Sequence, residues 1–229
     1  MMRVVAIDGP AASGKSSTAH AVAQAIGFYH LDSGALYRAV TRVALDAGMD
    51  PNALDPAELL RVAEQRGLAL RVEGDTVAPV LDGAPAEGQI RGPAVTAAVS
   101  AVSAIPGVRK WVDAAMRALA AEGYPVVVDG RDIGTIVFPE AQVKVFLVAT
   151  PQVRAERRLL QRGEAADPEL VRVEAERLAE RDRADSSRAV APLRKAPGAI
   201  EIDGSALSFG EQVERIVDSA RSAFQGLTP

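Results

Sequence analysis

The chain has 229 residues, of which 48% are hydrophobic, a formal net charge of −4 and no cysteine. That length and apolar share suffice for one domain with a sizeable core, and the lack of cysteine excludes disulfides, thiolate nucleophiles and cysteine-based zinc sites. No apolar run reaches the roughly eighteen residues of a membrane span, no leader-like segment opens the sequence, and the acidic balance opposes broad nucleic-acid binding, so a cytoplasmic, membrane-free protein is expected.

Taken in chain order, residues 3–8 form a short apolar run that predicts a buried strand, and residues 17–26 carry the apolar periodicity of a helix. Between them, Gly9, Pro10, Ala11, Ala12, Ser13, Gly14, Lys15 and Ser16 fit G-x-x-x-x-G-K-[ST], the phosphate-binding loop. Strand, glycine loop and helix in that order suit the chemistry. Backbone N–H groups wrap a phosphate while the positive end of the helix dipole points at it. Lys15 is expected to reach the β- and γ-phosphates and Ser16 to place its hydroxyl on Mg²⁺, with Ser17 opening the helix behind them. The motif and its flanks predict binding of a nucleoside triphosphate.

Residues 30–34 read as a turn, 35–47 as a helix stopped by Gly48, and 51–66 as a loop followed by a short helix with Pro56 near its start. Residues 68–73 and 77–82 alternate like half-buried strands around a Gly74-Asp75 turn. Pro79 marks the second of them as an edge strand or as interrupted there. With residues 84–91 this hairpin reads as a small antiparallel insertion. Two helices follow at 94–103 and 108–121, then strands at 124–129 and 143–148. Thr150 and Pro151 open a further helix, 170–185 reads as a long charged helix, 199–203 as a last strand and 208–224 as a closing helix. Strands separated by helices predict an α/β fold, a parallel sheet covered on both faces.

Two more clusters bear on chemistry. In Val128-Asp129-Gly130-Arg131-Asp132 an acidic residue ends a buried strand, where a Mg²⁺-associated carboxylate is expected beside a phosphate loop. The plainer reading of the same residues is a solvated Asp-Gly turn with a surface ion pair. Arg154, Arg157 and Arg158 open one helix, and Arg177, Arg181, Asp185 and Arg188 recur at spacings of three and four along the next. Such spacing suits either an exposed ion-paired face or an arginine clamp over phosphates, and it does not choose between them.

Four segments together raise a resemblance. The phosphate loop, Leu31-Asp32-Ser33-Gly34-Ala35-Leu36-Tyr37-Arg38, Asp129-Gly130-Arg131-Asp132-Ile133-Gly134-Thr135, and Glu180-Arg181-Asp182 with Asp185 and Arg188-Ala189-Val190-Ala191-Pro192-Leu193 are similar to the bacterial cytidylate kinases. The match runs in order through nearly the whole chain. It implies a P-loop kinase as a single domain over 1–229, with an acceptor-binding insertion at about 60–95 and a helical lid at about 155–190. It implies ATP and Mg²⁺ as cofactors and CMP or dCMP as acceptor, with a monomer expected. In the family pattern Ser33 and Arg38 contact the acceptor nucleotide, Ser100 lies near the cytosine and Arg109 near its phosphate. Arg131 and Asp132 help to read the base and hold the acceptor, beside Asp129 at the strand end. Asp185 reaches the acceptor ribose, Arg181 and Arg188 reach phosphates, and Arg157 lies near the donor nucleotide.

The resemblance thus implies Lys15, Arg131, Arg181 and Arg188 as catalytic residues and Ser16, with Asp129 as a further candidate, as metal ligands. The chain departs from the family at Ala12, where a second glycine is common, and at Met116, where a glutamine is common. No covalent intermediate is expected, since cysteine is absent and no histidine is placed near the motifs. The acceptor phosphate is already ionised, so alignment and charge neutralisation carry the reaction. The sequence lacks the Asp-Gly-Phe-Pro-Arg run of typical adenylate kinases and the Asn-Lys-x-Asp of guanine-binding switches.

Overall fold

A computed structural model describes residues 2–188 and 190–224 of the chain, so Ala189 of the quoted segment lies outside the described residues. Five parallel strands form its centre: β1 (Val4–Asp8), β2 (Tyr29–Asp32), a strand at Val126–Gly130, one at Val143–Val148 and one at Ile200–Asp203. With the hairpin strands β3 (Ala69–Glu73), β4 (Thr76–Leu81) and β5 (Ala84–Pro85) counted in chain order, the last three are β6, β7 and β8. The sheet runs β3-β4-β2-β6-β1-β7-β8, with β5 paired to β4. β1 lies between β6 and β7, with Val4 opposite Val126 and Val5 opposite Val143, and all five of its residues are buried. A strand covered on both faces needs a continuous apolar run, which is what the sequence supplies there.

Alternation along these strands divides the core in two. Val4, Ala6, Val126 and Val128 face one layer, built with the helices α2 (Ser33–Asp46), α3 (Pro56–Gln65), α5 (Pro93–Ala104) and α6 (Pro106–Ala121). A four-residue turn of helix, α4 (Glu87–Ile90), precedes α5. Val5, Ile7, Val127 and Val145 face the other layer, with α1 (Lys15–Ile26) and α9 (Phe209–Ala223). Each fully buried Val, Leu or Ile contributes about 1.5–3 kcal/mol, so this double layer gives the strand ends a rigid base. The remaining helices, α7 (Pro151–Gln161) and α8 (Pro168–Ser186), pack on each other near the phosphate loop.

Helix ends follow local chemistry. Asp55 accepts from Ala57 N–H with Pro56 in the first turn of α3, and Ser208 forms a reciprocal capping box with Glu211 on α9. Gly27 ends α1 at φ 69°, its N–H donating to the Ala23 and Gln24 carbonyls.

The structure overturns one sequence expectation, decides between the two readings of Pro79 in favour of interruption, and adds one element. Residues 30–32 belong to β2, which pairs with β6, and α2 begins at Ser33; the expected turn there does not exist. Its polar residues mislead because they sit at the end of a strand, where side chains serve the cleft. β4 is not the edge strand, since β3 covers one side and β2 the other at His30–Thr76 and Leu31–Val77. Pro79 is tolerated because the β2 ladder has ended by then, and its carbonyl accepts from Ala86 N–H instead. Third, residues 133–137 form one π-helical turn that no periodicity announced. Buried Asp8 holds this turn, accepting from Ile133 N–H at 2.8 Å and Gly134 N–H at 2.7 Å, and its carboxyl is raised to about 6 chiefly by burial.

Candidate active site

The carboxyl ends of β1, β2 and β6 open into a cleft of about 760 Å³, completed by α2, α5, α7 and α8. Eight arginines and Lys15 line it against five carboxylates, in a chain whose net charge is negative. A concave site with that imbalance is built for a polyanion.

At one end the loop after β1 depends on its glycines. A Cβ on Gly9 would stand 2.1 Å from the Leu147 carbonyl oxygen, and Gly14 has φ 94° where it turns into α1. Ala12 adopts φ 58°, the left-handed region that is unfavourable for any residue with a Cβ. Lys15 folds back over the loop, donating from Nζ to the Pro10 carbonyl at 2.5 Å and to Ser13 Oγ at 3.4 Å. Burial, and secondly the charge of Arg131, hold its ammonium well below the usual lysine range. Ala11, Ala12, Gly14, Lys15, Ser16 and Ser17 line the cleft, whereas Gly9, Pro10 and Ser13 do not. Arg157 ties the loop to the sheet, donating to the Ser13 carbonyl at 3.2 Å and the Gly204 carbonyl at 2.8 Å.

At the base of the cleft Asp129 collects three partners. Ser16 Oγ donates to its Oδ2 at 2.6 Å, His30 Nε2 lies 2.8 Å from its Oδ1, and its carbonyl accepts from Ser33 Oγ at 2.7 Å. Burial works against charge on both members of the His30–Asp129 pair, yet their mutual hydrogen bond and attraction prevail. The imidazole is raised and the carboxylate lowered. Contrary to the expectation that no histidine lies near the motifs, β2 turns His30 toward the β6 strand end, a proximity that only sheet order creates. Between the two readings of the Asp129 segment, the solvated turn is excluded, because Asp129 and Asp132 are both 4% exposed.

The other end is made of paired charges. Arg109 and Asp132 form a buried ion pair, and Arg109 also donates to the Ser103 carbonyl at 3.1 Å and lies over the Tyr37 ring at 5.4 Å. Asp185 joins Arg131, at 3.0 Å, to Arg188. Arg38 donates to Thr96 Oγ1 at 2.9 Å. Arg181 has no ion pair among the described residues, its Nε is buried without a partner, and burial together with Arg131 lowers it to about 10. A desolvated, unpaired guanidinium facing a cleft is costly without an anion to meet it. That geometry favours the clamp reading for Arg181, Asp185 and Arg188 over the exposed ion-paired face, while Arg177 remains on the outside.

Ser100 is the exception among the expected acceptor-binding residues. It is exposed on α5 outside the cleft, and Ser103, one turn on, lines it. Sequence reasoning also missed Arg91, which pairs with Asp32 at 3.1 Å and with Glu87 at 2.6 Å, and gave no site role to Arg158, visible there only within an arginine cluster. Arg91 follows Glu87 at helical spacing, a signal shared with any exposed ion pair. Among the described residues no cluster of three or more His, Cys, Asp or Glu could hold a metal by itself, and no helix is long and apolar enough to cross a membrane.

Comparison with known proteins is consistent with this geometry. A family model described as cytidylate kinase matches residues 5–222. A cytidylate kinase from Geobacillus kaustophilus is 46% identical over 217 residues, covering 93% of this chain and 94% of that protein. One from Mycobacterium avium is 43% identical over 221 residues and covers 95% of each chain. One from Nocardia farcinica is 42% identical over 216 residues, covering 93% and 91%.

Proposed function

Since the chain belongs to the cytidylate kinase family, and is accordingly a nucleoside monophosphate kinase, we propose that it transfers the γ-phosphoryl group of ATP to CMP or dCMP in a Mg²⁺-dependent reaction. The observation that carries this reading is the single cleft that joins a phosphate loop to a buried Arg–Asp pair, with unpaired Arg181 on its wall. ATP would lie with its phosphates in the loop over Lys15 and its nucleoside toward Arg157. Ser16 and Asp129 present hard oxygen ligands side by side, which suits Mg²⁺, an ion that takes one or two protein oxygens and fills the rest with phosphates and water. When bound, Mg²⁺ neutralises charge on the β- and γ-oxygens.

The acceptor reading starts from Asp132 and Arg109. A carboxylate accepts from the C4 amino group of cytosine, and a guanidinium donates to its ring acceptors; uracil reverses part of that pattern. Because Arg109 is committed to Asp132 and the Ser103 carbonyl, we assign it to the base rather than to the acceptor phosphate, and we give Ser103 the place that the resemblance gave Ser100. Arg38, Arg131 and Arg188 would receive the acceptor phosphate, Ser33 would hold the strand end beneath it, and Asp185 would reach the ribose.

Two anions must approach in line, so the residues do their work by alignment and charge. Lys15 and Arg181 stabilise charge on the transferring group, which costs little reorganisation because both are already desolvated. Asp8 and His30 stay outside this step: Asp8 fixes the π turn and His30 fixes Asp129. Helices α7 and α8 fit the lid and the β3–β5 hairpin with α4 the acceptor-side insertion, their closure excluding water that would waste ATP. Both subsites come from one chain, so a monomer suffices, and ATP and nucleoside monophosphates suit a cytoplasmic setting. Phosphorus NMR on ATP, Mg²⁺ and CMP tests the reading: the β-phosphate signal of CDP should grow with the loss of ATP. Inorganic phosphate without CDP would overturn it.

A further inference from the structure

The donor role given to the phosphate loop leaves unexplained how one of its residues is held. Ala11 has its side chain buried against Ala155 of α7 and Leu178 of α8. Its N–H donates to Asp182 Oδ1 at 3.1 Å, and its carbonyl accepts from the Arg154 guanidinium at 3.1 Å. Asp182 and Arg154 are also paired with each other, and Arg154 is only 6% exposed. The methyl, the donor and the acceptor of a single loop residue are therefore all gripped by the two helices that cover the cleft.

What those helices carry gives the grip its meaning. Asp182 directly follows Arg181, whose buried Nε has no partner among the described residues, and stands within one turn of Asp185. Neither Asp182 nor Arg154 lines the cleft, so neither touches the reacting groups. A lone carboxylate this close to the phosphate loop would repel a triphosphate; pairing with Arg154 removes that objection and leaves its oxygen free to hold a backbone N–H. We infer that Asp182 and Arg154 are positioning residues that join the phosphate loop to α8, so that filling the loop with a triphosphate sets Arg181 in place for transfer. The inference rests on the kinase reading given above. It adds that donor occupancy and lid order are one event, transmitted through Ala11.

Hydrogen–deuterium exchange of the whole chain, with the non-hydrolysable donor AMP-PNP and Mg²⁺ and no acceptor, separates the possibilities. In the wild type, protection should rise together over residues 9–16 and 176–188. In Asp182→Ala, protection of 9–16 should persist while that of 176–188 falls by about fivefold or more, a loss of coupling between two sites. Asp182→Asn, which keeps an oxygen for Ala11 N–H but not the charge pair, should fall between the two and serves if the alanine variant does not fold. In the same variants kcat should drop about tenfold with the acceptor KM changed by less than about threefold, the pattern of lost alignment rather than lost binding. A wild type in which the loop is protected and α8 is not would overturn the coupling, as would variants that keep full protection of α8. No protection of the loop itself would overturn the donor reading, and the coupling with it.

Discussion

The two ends of the cleft are built on different principles. The proposed donor end is built from backbone: Gly9 sits so tightly against Leu147 that no side chain fits, which leaves N–H groups as the groups that would meet a phosphate. The acceptor end works through side chains held by opposite charges, Arg109 by Asp132 and Arg131 and Arg188 by Asp185. A backbone cradle binds any polyphosphate of the right shape. Paired side chains can distinguish one base from another, because each partner left unsatisfied by a wrong ligand costs about 1–3 kcal/mol. On the proposed reading, generality lies at the donor loop and selectivity at the buried Arg109–Asp132 pair.

The largest expected effect strikes the donor end. Lys15→Ala removes the one cation that the loop itself contributes, and kcat should fall by about 10²–10³-fold or more, read from initial rates of ADP formation. Retention of a tenth of wild-type turnover would assign the work to the arginines alone. Next comes the acceptor end. Asp132→Asn keeps the shape but loses the charge, so the ratio of kcat/KM for CMP over UMP should narrow by about tenfold, near 1.4 kcal/mol of discrimination. An unchanged ratio would remove Asp132 from base recognition. Asp132→Ala is the poorer probe, since it strands Arg109 buried and unpaired, a defect worth about 3–5 kcal/mol.

Between the two ends lies the His30–Asp129 pair, which predicts a pH dependence of stability. The imidazole is raised above its ordinary 6.5, so its contribution is full below that value and fades as pH rises through the folded-state pKa. The carboxylate is lowered below 3.8, so its contribution is full above that value and is lost as pH falls through its folded-state pKa. The pair is therefore strongest between the carboxylate and imidazole ranges. The Tm advantage of the wild type over His30→Asn should shrink as pH climbs from about 6 to about 9. A constant advantage would mean that folding leaves the His30 pKa unshifted. The smallest effect is at Ala12, in the left-handed region: Ala12→Gly should raise stability by up to about 1 kcal/mol, seen as a small rise in Tm. A fall would show that packing of the Ala12 methyl near Ala11 and Leu178 outweighs the backbone strain.

The contrast between the ends also explains what could be read from sequence. The phosphate loop was legible because its chemistry is local: strand, spacing and glycines lie within residues 4–16. The α/β alternation was legible for the same reason, down to Thr150, Pro56 and Ser208 at helix starts. His30 was not, since its partner is 99 residues away and only the β2–β6 pairing joins them. The short β2 strand reads as a turn in sequence because its polar residues serve the cleft, not the core. The arginines were visible as a pattern, but which of them are paired and which stand free depends on partners such as Asp132, 23 residues from Arg109, and Asp185, 54 from Arg131. Ser100 and Ser103 lie on the same helix, and only its rotation against α2 decides which one faces the cleft.

The most direct test offers ATP and Mg²⁺ to the protein with CMP, dCMP, UMP, AMP, GMP or shikimate, beside a control without acceptor, and measures ADP. Turnover with CMP and dCMP far above every other acceptor is expected if the buried Asp132–Arg109 pair reads the base while the loop holds the ATP that supplies the phosphoryl group. Equal ADP release with and without acceptor, or preference for a non-cytosine acceptor, would contradict that division of labour.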